Sequence, residues 1–152
     1  MSRQTVRSAV ADWIDGRVDG INKVYAAPPK IALAQDAKGG CSAIVWADKR
    51  KRVRVAMGGA HSGWKRLDYE VEVELFLAAK TRTAEEATVT MEAAVDALID
   101  RIESDRTFDG RLWQAGEGST GIDDEIGKPA VIGDVTNVWA FVRFNVTDWS
   151  QT

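Results

Sequence analysis

The sequence predicts an α+β protein, a mostly antiparallel β-sheet with two main helices packed on one face. Three observations predict it. Leu67–Leu77 alternates almost without a break, with Leu67, Tyr69, Val71, Val73, Leu75 and Leu77 on one side and Asp68, Glu70, Glu72 and Glu74 on the other. Successive side chains of a strand point to opposite faces, so this is a half-buried strand. A second alternation runs from Asn137 to Thr147, and two segments carry apolar residues at three- and four-residue spacing, the mark of amphipathic helices. Strands and helices segregate along the chain rather than alternate strictly, which favours α+β over a doubly wound sheet.

The first helix is expected from about Ser2 to Asp15. Val6, Ala9, Val10, Trp13 and Ile14 form its apolar stripe, Ser2 can cap it, and Asp15-Gly16 supplies a stop. Ile21–Tyr25 reads as a short extended segment, which Pro28-Pro29 ends by holding Ala27 out of the helical region. Ile31 and Leu33 could begin a further strand, and Ala37–Gly40 is a turn. Cys41–Trp46 reads as a buried strand followed by a turn at Asp48-Lys49-Arg50. Cys41 is read as a small core residue, since no helix terminus or cation nearby would activate its thiol.

Arg50–Met57 is a further strand candidate, and the loop Gly58-Gly59-Ala60-His61-Ser62-Gly63 allows an antiparallel return into Leu67–Leu77. The register that closes an apolar face opposes Val55 to Leu67 and Val53 to Tyr69. It also sets Arg54, Arg52 and Arg50 against Asp68, Glu70 and Glu72, and opposed unlike charges contribute roughly 0.2–1 kcal/mol each. The acidic face is then neutralised by Arg50, Arg52 and Arg54, with Glu74 the main uncompensated carboxylate.

Thr83-Ala84-Glu85-Glu86 is a capping box. Ala87, Met91, Ala94, Val95, Leu98, Ile99 and Ile102 then mark one stripe of a helix about 20 residues long, roughly 30 Å. Thr107–Pro129 is rich in glycine and polar residues and reads as a long mobile loop, anchored locally by Leu112-Trp113 and Ile122. In the final strand both faces carry large apolar groups, Val138, Ala140, Val142, Phe144 and Val146 against Trp139 and Phe141, as in a central or interface strand.

The chain of 152 residues suits one domain, and 45% hydrophobic with 28% charged residues is an ordinary globular composition. A formal charge of -3 and a pI near 5.2 argue against a dedicated duplex-DNA binder. The single cysteine can form neither an internal disulfide nor a zinc site. No apolar run approaches a membrane span and no signal-peptide core opens the chain, so folding in a cytoplasm is expected.

Catalytic chemistry has little to stand on. His61 is the only histidine and lacks an orienting partner or nucleophile in any recognisable constellation. The glycine-rich stretches at Gly58–Gly63 and Gly116–Gly121 match neither a Walker loop nor a dinucleotide fingerprint. Carboxylates two apart on a strand lie about 6.6–6.8 Å apart, close enough for a few to share a hard cation, but a solvated, neutralised strand face is the simpler reading. Catalytic, cofactor and metal sites are therefore expected to be absent. Of the six tryptophans, Trp13, Trp46 and Trp139 fit core-facing or strand positions, while Trp64, Trp113 and Trp149 lie in or beside loops, where aromatics tend to mark protein interfaces.

Taken together, Ser2-Arg3-Gln4-Thr5-Val6-Arg7, Ile21–Lys30, Asp68-Tyr69-Glu70-Val71, the helix to Arg106 with Thr107-Phe108-Asp109-Gly110, and Val138-Trp139-Ala140 occur in an order that resembles the tail terminator proteins of long-tailed bacteriophages. The order is most similar to the small neck and tail-completion proteins of actinobacterial phages. The resemblance implies a non-enzymatic virion protein of the tail-neck region, made in the host cytoplasm, with a curved antiparallel sheet flanked by helices. It implies a homo-hexameric ring on the head-proximal end of the tail tube, with the tail tube protein and the head-tail connector or stopper protein as partners. Viral DNA would pass through the lumen without specific binding, and no membrane is involved. Candidate lumen or interface residues are Asp68, Glu70, Glu72, Glu74, Trp64, Trp113 and Trp139, and the long loop would become ordered against a neighbour or the tube. The alternatives are a head-side neck or stopper connector and a small metal-dependent hydrolase built on the acidic strand.

Overall fold

A computed structural model describes residues 2–27, 41–54, 64–79, 83–108, 110, 114–116, 121–132 and 135–151, with backbone alone at 48–54, 64–66, 79, 114, 132 and 148–151. Helix α1 spans Arg3–Ile14. The Ser2 hydroxyl accepts the Thr5 N–H at its start, and at its end the Asp15 N–H donates to the Ala11 carbonyl before Gly16 turns the chain at φ 70°. Strand β1 follows at Ile21–Tyr25, then β2 at Cys41–Arg54 and β3 at Trp64–Ala79. Helix α2, Ala84–Ser104, starts with the Thr83 hydroxyl accepting the Glu86 N–H at 3.2 Å, one of the two bonds of the expected capping box. The short strands β4 (Gln114–Ala115), β5 (Ile122–Ile126) and β6 (Ala130–Ile132) precede β7, Val135–Gln151.

Among the described residues all seven strands belong to one sheet, running β1-β2-β3-β7 with β4, β5 and β6 in succession along the far side of β7. Only β1 and β2 pair in parallel; every other pairing is antiparallel. The α+β architecture read from the sequence is thus the observed one. β7 is central, as its two-sided apolar character suggested: β3 pairs along 16 of its residues, Ala79↔Thr136 through Trp64↔Gln151.

One face of the sheet carries the core. Leu67, Tyr69, Val71, Val73, Leu75 and Leu77 of β3 meet the stripes of α1 and α2, including Val10, Trp13, Met91 and Leu98, all buried. Cys41 is fully buried with its Sγ 3.8 Å from the Met91 Sδ, a small core residue as expected. Among the described residues no helix is long and apolar enough to cross a membrane.

Three expectations are corrected. β2 is one continuous strand, with no turn at Asp48-Lys49-Arg50; a bulge between Ala47 and Lys49 takes up the irregularity. The β2–β3 register is also different. Lys49 and Lys51 lie opposite Glu70 and Asp68, Arg50 and Arg52 opposite Tyr69 and Leu67, and Arg54 opposite Lys65. Arg50, Arg52 and Arg54 therefore do not oppose the carboxylates. The register is set from the other end of the hairpin, where Ala43, Val45 and Ala47 align with Leu75, Val73 and Val71 on the core face. Burying that apolar row outweighs a few exposed charge pairs.

The third correction concerns the expected loop at 107–129. Its described residues include β4 and β5, both paired to β7. The seventeen-residue β7 leaves a long edge of N–H and C=O groups that need partners. Ile122 and Ile126 fall opposite Phe144 and Ala140, which positions Ile122–Ile126 on that edge despite its three carboxylates. Phe108, read as part of the loop, is fully buried and stacks on Trp13 at 5.6 Å, with its edge towards Phe144 at 6.3 Å. The candidate strand at Ile31 and Leu33, the glycine loop with His61, and Trp113 lie outside the described residues.

Candidate interaction face

The opposite face of the sheet is where the acidic row sits. Alternation along β3 places Asp68, Glu70, Glu72, Glu74 and Phe76 there, and alternation along β7 adds Trp139, Phe141, Arg143, Asn145 and Thr147. These residues are half-buried, apart from the exposed Glu70, and among the described residues no helix covers them. The face divides into an apolar end and a polar end. Phe76 and Trp139 stack with ring centroids 6.4 Å apart, and Phe141 follows one register step on, beneath the Arg143 guanidinium at 5.2 Å.

Most of the carboxylates are tied down by neighbours in the sheet. The Thr147 hydroxyl donates to Asp68 Oδ1 at 3.0 Å. Arg143 lies between two acids, 3.5 Å from Glu72 and 3.4 Å from Glu125 of β5. The Trp46 indole donates to Glu74 Oε2 at 3.1 Å, so the carboxylate expected to be uncompensated is held by a hydrogen bond. A bond to an ionised acceptor contributes more than a neutral one, roughly 1.5–3 kcal/mol when sheltered. The Arg143 pairs are exposed enough that water screens them to about 1 kcal/mol or less.

Of the residues singled out in the sequence, the structure brings Asp68, Glu70, Glu72, Glu74 and Trp139 together on one face. Trp64 opens β3 opposite Gln151, and Trp149 lies near the end of β7 opposite Arg66. Trp46, Phe76, Phe141, Arg143 and Glu125 belong to the face but were not picked out as such. The outward positions of β7 could have indicated Phe141 and Arg143, since they alternate with the apolar set. Glu125 had no such signal, because β5 was hidden in a polar segment. Among the described residues no group of three His, Cys, Asp or Glu side chains is placed to hold a metal ion.

The face therefore offers flat aromatic surface beside anchored carboxylates, a composition suited to recognising another macromolecule. Searches against protein-family models and against curated proteins return no match to this chain.

Proposed function

We propose that this protein is a structural component of a phage tail neck, a tail-terminator-like subunit that assembles as a homo-hexameric ring on the head-proximal end of the tail tube and meets the head connector. The order of sequence segments supports the reading, and so does the α+β fold with both helices on one face. The observation that carries it is the sheet face that no helix covers among the described residues, where Phe76, Trp139 and Phe141 lie half-exposed beside Asp68, Glu70, Glu72 and Glu74. A sheet face with this much aromatic surface is suited to burial against a partner.

The acidic row fits the same role. Duplex DNA binds basic surfaces through counterion release, whereas carboxylates around a lumen repel its phosphates and leave it free to slide. On this reading the face turns towards the lumen or towards a neighbouring ring, and no catalytic step is required of it.

Removal of the gene from the phage tests the proposal. A terminator's loss yields tails longer than normal that fail to join heads. Tails of normal length beside leaking heads assign the chain to the head-side stopper instead. Infectious particles with ordinary tails rule out both roles. Replacing Glu70, Glu72 and Glu74 with Lys tests the lumenal arm: tails that join heads yet deliver DNA poorly support it, and unchanged delivery removes it.

A further inference from the structure

The far side of β7 is closed by short strands. β4, β5 and β6 have two, five and three residues, and Pro129 stands between β5 and β6. β5 is the longest of the three, and among the described residues its only strand partner is β7. An outermost strand turns a row of backbone N–H and C=O groups outward, and an apolar one pairs readily with another chain.

Asp124 breaks the pattern of β5. Directly opposed residues of an antiparallel pair share a face. Ile122, Asp124 and Ile126 therefore lie on the face of Phe144, Val142 and Ala140, all of them buried. Ile122 and Ile126 pack against the core, and Asp124 stands between them, exposed, beside Val142. A valine at this position would suit the strand and extend the apolar row, since Asp is depleted in strands and apolar burial is favourable. The cation of β7 in register with β5 does not account for the carboxylate either. Arg143 lies on the other face, opposite Asp123, and pairs with Glu72 and Glu125.

The three acids do have a consequence for contact between copies. Two β5 strands aligned antiparallel about their centres oppose Ile122 to Ile126, which on its own is a good apolar match. The same alignment opposes Asp123 to Glu125 on one face and Asp124 to Asp124 on the other. Like charges set directly opposite destabilise a strand pair. The added strand would also take water from Asp124 among isoleucines, and a charge desolvated without a partner is costly.

We propose that Asp123, Asp124 and Glu125 guard this edge, keeping β5 from pairing with β5 of a second copy, and that Asp124 does so on the core-facing side. Inward-pointing charge is one of the ways in which a sheet edge is kept from continuing into the next molecule. The proposal is independent of the tail-neck reading, and its failure leaves that reading standing.

The test removes the guard from the full chain with Asp123→Thr/Asp124→Val/Glu125→Thr, which leaves an alternating apolar strand between Ile122 and Ile126. Circular dichroism establishes folding, sedimentation velocity and native mass spectrometry follow association, and hydrogen exchange locates the contact. Asp124→Thr, expected to move in the same direction, serves where the triple variant does not fold. The triple variant is expected to associate beyond the wild-type species about tenfold more tightly or better, the equivalent of burying one further apolar side chain. Its amides at Ile122–Ile126 should gain protection on association. Asp124→Lys is expected to associate no more than wild type, because charge of either sign is unwelcome in the apolar row. Glu85→Gln/Glu92→Gln/Asp96→Asn removes as much charge from exposed positions of α2 and should also change nothing. A folded triple variant that associates no more than wild type overturns the proposal. So does association without added protection at Ile122–Ile126, and so does equal association of the α2 variant, which would make net charge the cause. Loss in Asp124→Lys of an association that wild type possesses overturns it too, by making the carboxylate a contact for a basic partner.

Discussion

Trp13 and Arg101 clasp the two helices together. The Trp13 indole N–H donates to the Arg101 carbonyl at 3.3 Å, and Arg101 Nε donates back to the Trp13 carbonyl at 3.2 Å. The guanidinium lies 3.5 Å from the ring centroid, while Phe108 stacks on the same indole. Arg101 thus satisfies a carbonyl in the last turn of α1, caps an aromatic face and covers apolar surface with its stem.

Arg101→Lys is expected to destabilise the fold by about 1–2 kcal/mol and Arg101→Ala by somewhat more, because a lysine has neither the planar fork nor the Nε donor. Urea titrations of the three proteins measure this. Equal midpoints for wild type and Arg101→Lys would show that the stem alone matters.

Gly116 is expected to be the least replaceable glycine of the described turns. Its φ is 72°, and an added Cβ would come within 2.7 Å of Ile122 Cγ1 and 2.9 Å of the Arg106 Nη1 that bonds the carbonyls of Ala115 and Gly116. Gly110 has a similar φ of 80° but open space around it. Gly110→Ala should cost about 1–2 kcal/mol from backbone strain alone. Gly116→Ala should cost more and raise hydrogen exchange in β5. Thermal melts of the pair decide the matter, and equal shifts would remove the steric part of the argument.

Thr83→Ala removes the acceptor for the Glu86 N–H at the start of α2 and is expected to cost about 0.5–2 kcal/mol. Thr83→Ser should recover most of the loss, because the capping oxygen is retained. Denaturant midpoints check both, and a Ser variant as weak as Ala would locate the effect in the lost methyl group.

On the open face, Glu74→Ala is expected to move the Trp46 indole proton resonance upfield and cost roughly 1–3 kcal/mol by leaving the indole without its acceptor. Glu74→Gln keeps an acceptor and should change the resonance far less. An unchanged Trp46 signal in Glu74→Ala would mean that water serves the indole equally well.

How much of this was legible follows from the range of the interactions concerned. Both helices were readable because their signals are local: Ser2 and Thr83 cap within three residues, and each apolar stripe repeats every turn. β3 and β7 were readable because a period of two over ten residues has no other interpretation. The same alternation placed Asp68, Glu70, Glu72 and Glu74 on one face. It could not say what lay beside them, since Arg143 is more than 70 residues from Glu72 in sequence.

The sequence by itself therefore determined the helices, the two long alternating strands and the sidedness of the sheet. The tertiary structure alone decided the β2–β3 register, the recruitment of β5 to the edge of β7 and the burial of Phe108, whose φ of 51° is held by packing between Trp13 and Phe144. The physical reason is common to all three. Local propensity and exposed charge pairs are each worth tenths of a kcal/mol to about 1. Burying an apolar side chain is worth roughly 1.5–3, and leaving a buried strand edge unpaired costs comparably at every unsatisfied group. Where the two scales disagreed, as at Arg50, Arg52, Arg54 and Phe108, the long-range terms prevailed.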